Sequence, residues 1–99
     1  MDVEYADPDL AVLETDLSLD SKYPKGIAKK FRWVMQQIRL ATQKNQLYQI
    51  GSLRLKKLEG RENDERMWLN DKYRLEMVFS GEPPDEKVQI LRISNHYDD

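Results

Sequence analysis

Five side chains stand where their types and spacing could grip a polyanion: Arg54, Lys56, Arg66, Trp68 and Arg74. They fall in three short segments in which apolar and polar residues alternate. Leu53 and Leu55 alternate with Arg54 and Lys56, and Met67 and Leu69 with Arg66 and Trp68. Tyr73, Leu75, Met77 and Phe79 then alternate with Arg74, Glu76 and Val78. A period of two is the signature of strands with one buried face. Paired as a meander, the three would line one open face with cations and set an indole among them. Such a surface suits nucleic acid, since cations take phosphates and a flat ring takes an unpaired base. His96 is the only side chain whose ordinary pKa, about 6.5, suits proton transfer near neutrality. It follows the last predicted strand with the parity of Arg92 and Ser94.

Ninety-nine residues, 39% apolar and 34% charged, form a single domain over 1–99 with one modest core. No apolar run approaches the roughly 18 residues of a membrane span, and Met1-Asp2-Val3-Glu4 lacks the pattern of a signal peptide. With no cysteine and one histidine, the sequence argues against disulfides, a zinc site or any cofactor. A cytoplasmic protein with no membrane partner is expected. The net charge of −2 conceals a division along the chain. Residues 1–21 carry seven acids and no base, whereas residues 22–74 carry fourteen Lys or Arg against five acids. The middle is basic and both ends are acidic, so one face is cationic although the whole is not.

The elements that must position these residues follow from local pattern. Asp2–Ala6 reads as an edge strand with Val3 and Tyr5 on one face. Asp7-Pro8 opens a short helix through Leu13, an N-cap followed by proline at the first helical position. Residues 16–20 read as a loop. After Tyr23-Pro24, Ile27, Phe31, Val34, Met35, Ile38 and Ala41 recur at helical spacing and form one apolar stripe. Trp33 and Leu40 fall outside it, either packed on a neighbour or forming a partner-binding ridge. Lys29, Lys30 and Arg32 read as a solvated helix face, the alternative being a docking surface. Asn45–Ile50 is a further helical turn closed by Gly51. Asn70-Asp71-Lys72 makes a tight turn, and Ser80–Glu86, with Gly81, Pro83 and Pro84, an exposed connection. Lys87–Ser94 has apolar residues on both faces and belongs inside the sheet. The fold class is α+β, with helices packed on one face of a small antiparallel sheet in the order β-α-α-β-β-β-β.

The run Leu53-Arg54-Leu55-Lys56-Lys57-Leu58-Glu59-Gly60, followed by Leu69-Asn70-Asp71-Lys72-Tyr73-Arg74-Leu75, resembles HigB-like toxins of the RelE/ParE superfamily. The likeness extends through Gly26–Thr42 and to Asn95-His96-Tyr97-Asp98. Trp68 stands where many of that family carry arginine. The resemblance implies a RelE-like fold and a type II toxin–antitoxin pair of the plasmid maintenance killer kind. It further implies a metal-independent, ribosome-dependent endoribonuclease, an mRNA interferase that blocks translation. The implied partners are mRNA, the ribosome and a helix-turn-helix, HigA-like antitoxin, with operator DNA bound only through that antitoxin.

In the reaction so implied, a 2′-hydroxyl attacks the adjacent phosphorus while a base and an acid move protons. Arg74 matches the family motif and would stabilise the charge of the transition state. Lys57, with Lys56 beside it, is a second candidate at the strand end, and His96 and Tyr97 would transfer protons or orient RNA. Arg54, Arg61 and Arg66 would hold RNA backbone. Trp68 would either stack on a base or lie covered by the Ser80–Glu86 loop. Other readings are a non-catalytic ParE-like binding toxin, a decayed member retaining only antitoxin binding, and an RNA-binding domain outside this family. The acidic segment 1–21 reads as an ordinary strand and helix, the alternative being a mask laid across the basic sheet.

Overall fold

Alternation at the chain's start gives strand β1 (Asp2–Tyr5), with Val3 and Tyr5 half-buried and Asp2 and Glu4 exposed. A computed structural model describes residues 1–60 and 63–95. Helix α1 (Pro8–Thr15) begins as its sequence predicts: the Asp7 carboxylate accepts the Asp9 N–H at 2.9 Å, and Pro8 takes the first helical position. Its buried face is Leu10 and Leu13. The expected loop at 16–20 is instead a 3₁₀ helix, Leu17–Lys22, because Asp16 caps it by accepting the Ser18 N–H at 2.9 Å and the Ser18 hydroxyl at 2.7 Å. Helix α2 (Ile27–Leu40) starts after Gly26, whose φ of 85° needs a residue without a Cβ. It buries the whole apolar stripe, with Phe31, Val34, Met35 and Ile38 fully enclosed. Enclosing a side chain of that size contributes roughly 1.5–3 kcal/mol. The turn expected near residues 45–50 is helix α3 (Lys44–Tyr48), so the order gains a third helix.

Strands β2 (Lys56–Lys57), β3 (Asp64–Trp68), β4 (Tyr73–Ser80) and β5 (Lys87–Asn95) complete a five-stranded sheet in the order β1-β5-β4-β3-β2. The β2–β3–β4 meander is antiparallel as expected, and β5 lies inside the sheet. One expectation is corrected: the sheet is mixed, because β1 runs parallel to β5. Parallel pairing needs a long crossover, and the three helices together with the β2–β3–β4 meander supply it. Met67, Leu75, Met77, Val88 and Ile90 form one core with the helices. Gly81 closes the β4–β5 connection; a Cβ there would sit 2.7 Å from the Asp85 carbonyl oxygen. Among the described residues no helix is long and apolar enough to cross a membrane.

The first strand segment is also shorter than its pattern suggests. Gly51–Leu53 is a 3₁₀ turn and Arg54 is left-handed (φ 50°), so extended backbone begins only at Lys56. Leu53 and Leu55 are nonetheless buried and Arg54 and Lys56 exposed. The turn reproduces the inside–outside alternation of a strand without its hydrogen bonds.

The acidic N-terminal segment binds the helices and does not mask the sheet. Its strand occupies the edge opposite β2, and Asp7, Glu14, Asp16 and Asp20 are engaged by caps and by α2. Arg32, expected on a solvated face, donates from Nε to the Leu13 carbonyl at 3.0 Å, from Nη2 to the Asp16 carbonyl, and pairs with Asp20. Glu14 accepts from Arg39 at 2.7 and 2.8 Å and from the Tyr5 hydroxyl at 2.6 Å, tying β1, α1 and α2 together. The Arg39 guanidinium, aided by the Tyr5 hydroxyl, holds the Glu14 carboxyl below its ordinary value of 4.5. Its stabilisation is therefore present above pH 4.5 and lost as pH falls through the lowered pKa. Glu14→Gln should be less stable than wild type at neutral pH, and its stability should fall less between pH 4.5 and pH 3. Urea unfolding at each pH measures this; equal acid slopes for the two proteins would remove Glu14 from the account.

Candidate nucleic-acid interface

Strand pairing decides which side chains share a surface. Across β2, β3 and β4, Lys56 opposes Arg66, Arg66 opposes Glu76, and Trp68 opposes Arg74. Directly opposed residues point to the same side of a sheet. Lys56, Arg66, Trp68 and Arg74 therefore emerge together on the face away from the core, while Glu65, Met67, Leu75 and Met77 point into it. Arg54, in the turn just before β2, completes the group with its guanidinium carbon 4.6 Å from the centre of the Trp68 ring. Five of the nine sequence-predicted site residues thus meet at one end of one face.

Lys57 does not join them. Its register partner is Glu65, whose side is that of the helices, so one step along β2 carries the second lysine to the opposite surface. Arg61, His96 and Tyr97 lie outside the described residues. The last described residue of β5, Asn95, pairs with Tyr73, and Ser94 pairs with Arg74. The C-terminal end of β5 therefore lies at the same end of the sheet as the cationic group.

Arg74 is 9% exposed, unusual for a side chain that must carry charge. Its Nη1 donates to the carbonyls of Asn70 and Tyr73, the latter at 3.1 Å, which fixes the guanidinium against the β3–β4 turn. That turn is itself held by the Asn70 side chain, which accepts the N–H groups of Lys72 and Tyr73 at 2.8 Å each. No described carboxylate forms an ion pair with Arg74. Burial first, then the nearby Arg66 and Arg54 charges, lower its pKa from the ordinary guanidinium value, with Asp71 opposing. It stays charged, and an incoming anion would relieve the crowding. Farther along the same face, Glu76 is 6% exposed and accepts from Arg92 at 2.5 Å, so the face is cationic at one end and mixed beyond it.

Trp68 is half-buried, but the Ser80–Glu86 loop is not its cover, because Trp68 pairs with the opposite end of β4. The ring meets Arg54 and also Lys30 of α2, whose Nζ is 5.5 Å from the ring centre. The Trp68 Nε1–H is buried and finds no acceptor among the described residues. Sequence reasoning placed Lys30 on a solvated face; its spacing of three from Trp33 on one helix was the available signal.

No family model matches the chain, and no curated protein matches it. A solved structure does. It is similar to a YoeB/ParE toxin from Agrobacterium tumefaciens, with a TM-score of 0.66 over 98% of this chain and 100% of that one, at 10% sequence identity. This chain has the YoeB/ParE toxin fold. The RelE-like architecture expected from the sequence is therefore present, with β1 as the strand that makes the sheet mixed.

The left-handed Arg54 gives a test of what this turn is for. A side chain there costs about 1–2 kcal/mol in strain that glycine would not carry, while glycine loses more chain entropy and the ring contact. Arg54→Gly should therefore keep its stability within about 1 kcal/mol of wild type, while its affinity for RNA falls severalfold. A loss above about 2 kcal/mol in urea unfolding would make Arg54 a structural clamp on Trp68.

Proposed function

We propose that this chain is the toxin of a type II toxin–antitoxin pair, HigB-like in kind, which cleaves mRNA on the ribosome. The observation that carries the reading is Arg74: buried, fixed by backbone carbonyls, without a described carboxylate partner, and flanked by Arg54, Arg66 and Trp68. A guanidinium so placed is arranged for an anion that arrives from outside. The YoeB/ParE toxin fold supports the toxin reading, and the motif around Asn70-Asp71 supports the HigB-like one.

The reaction is an internal transfer at phosphorus. A base takes the proton of the 2′-hydroxyl, the 2′-oxygen bonds to the adjacent phosphorus, and the 5′-oxygen leaves with a proton from an acid. The products are a 2′,3′-cyclic phosphate and a 5′-hydroxyl. Arg74 stabilises the extra negative charge on the equatorial oxygens as the new bond forms. Arg54, Lys56 and Arg66 hold the flanking phosphates, contacts that position without selecting sequence. His96, the chain's one imidazole, is the candidate for the proton steps, with Tyr97 beside it in sequence. Lys57 has no part in this scheme, since its strand position faces away. A helix-turn-helix antitoxin neutralises the toxin and carries the pair to operator DNA.

Purified protein, ribosomes and a translated mRNA, read by primer extension, test the reading. Cleavage by wild type is expected, with a loss of about 10²–10³-fold in Arg74→Ala and an unchanged circular dichroism spectrum. Undiminished cleavage by Arg74→Ala would remove that residue from the reaction. Growth arrest in cells without any RNA cleavage would instead establish a non-catalytic, ParE-like binding toxin.

A further inference from the structure

Trp68 is not the last aromatic ring along this surface. Lys30 Nζ lies 4.4 Å from the centre of the Trp33 ring and 5.5 Å from that of Trp68, so one ammonium joins the two indoles. With Arg54 on Trp68, the sequence Arg54, Trp68, Lys30, Trp33 is a continuous ladder of alternating cations and rings. It leads from the sheet to α2. Trp33 is 37% exposed and lies outside the core stripe, so packing alone does not account for it.

Resting on the RNA-binding reading above, we propose that α2 extends the site: Trp33 is a second stacking platform for an unpaired base, and Lys30 holds the phosphate between it and Trp68. The occupant is a single-stranded RNA segment leaving the Arg74 end of the sheet.

Three observations favour RNA over a protein partner. Helix α2 contains no acidic residue, and the neighbours of Trp33 one helical turn away are Lys29, Lys30, Gln36 and Gln37. These are donors suited to phosphate and base edges. Neither Lys30 nor Arg54 forms an ion pair with a described residue. Phosphate oxygens of a ligand would supply the counter-charge that these two cations lack. Finally, the ring centres are no farther apart than the sum of their distances to Lys30 Nζ. About three stacked nucleotides span that length, at roughly 3.4 Å each.

The chain has two tryptophans, so each can be observed alone. In Trp68→Phe, titration with a short single-stranded RNA should quench the remaining Trp33 emission. Trp33→Leu should weaken RNA binding about 5–150-fold, the range given by one lost base stack. Lys30→Gln should weaken it severalfold and reduce the salt slope by about 0.7. Circular dichroism confirms that each variant is folded. Should wild type bind RNA while Trp33 emission stays constant and Trp33→Leu binds equally well, the α2 extension is wrong and the sheet site stands. Failure of wild type itself to bind RNA, with or without ribosomes, would overturn the underlying reading. RNA affinity unchanged in Trp33→Leu, together with lost antitoxin binding, would assign the ladder to a protein partner and overturn the proposal.

Discussion

The register between β3 and β4 is the constraint on which everything else depends. Opposing Met67 to Leu75 and Glu65 to Met77 sends the apolar side chains into the core, and the same pairing sets Trp68 against Arg74 and Arg66 against Glu76. A slip by one residue would invert both faces at once, burying cations and exposing methionines. Hydrophobic burial therefore fixes the position of each charge. The surface that would touch a ligand is the reverse side of the surface that stabilises the fold.

Electrostatic segregation completes that arrangement. Four of the seven acids in the first twenty-one residues are engaged by caps and by α2: Asp7 and Asp16 at helix starts, Glu14 on Arg39, Asp20 on Arg32. On the core side, Glu65 is met by Lys44 and by the Tyr48 hydroxyl, which pins α3 to β3 and spares the interior an unpaired carboxylate. What remains at the β2–β4 end is a group of like charges around Arg74, whose burial makes the crowding costly without a ligand. Preorganised charge of this kind needs little rearrangement when an anion arrives.

Much of this was legible in the residues. Alternation gave the inward and outward faces of β3 and β4, and helical spacing gave α2 almost to its ends. The Asp7-Pro8 pair gave the start of α1. Alternation was less informative around Arg54, where a 3₁₀ turn and a left-handed residue copy a strand's burial pattern. Lys57 could not be assigned to a face until its partner was known. The parallel pairing of β1 with β5 depends on the path of the intervening chain, which no local window contains. Arg32 and Lys30 illustrate the same limit from the helix: both look solvated in sequence, yet one staples α1 and the other bridges two tryptophans. These outcomes are set by which neighbours the fold delivers. The proton-transfer candidates His96 and Tyr97 remain readings of the sequence.

The most direct test of the central claim is the salt dependence of single-stranded RNA binding, compared between wild type and a variant with Arg54, Lys56, Arg66 and Arg74 changed to Gln. Cations acting together on one phosphate chain predict a wild-type slope of log K against log salt near −2 to −3, about −0.7 per phosphate neutralised. In the fourfold variant, still folded, the slope should shrink to about −0.7, the share left to Lys30. Equal slopes for the two proteins would contradict a shared cationic site on this face of the sheet.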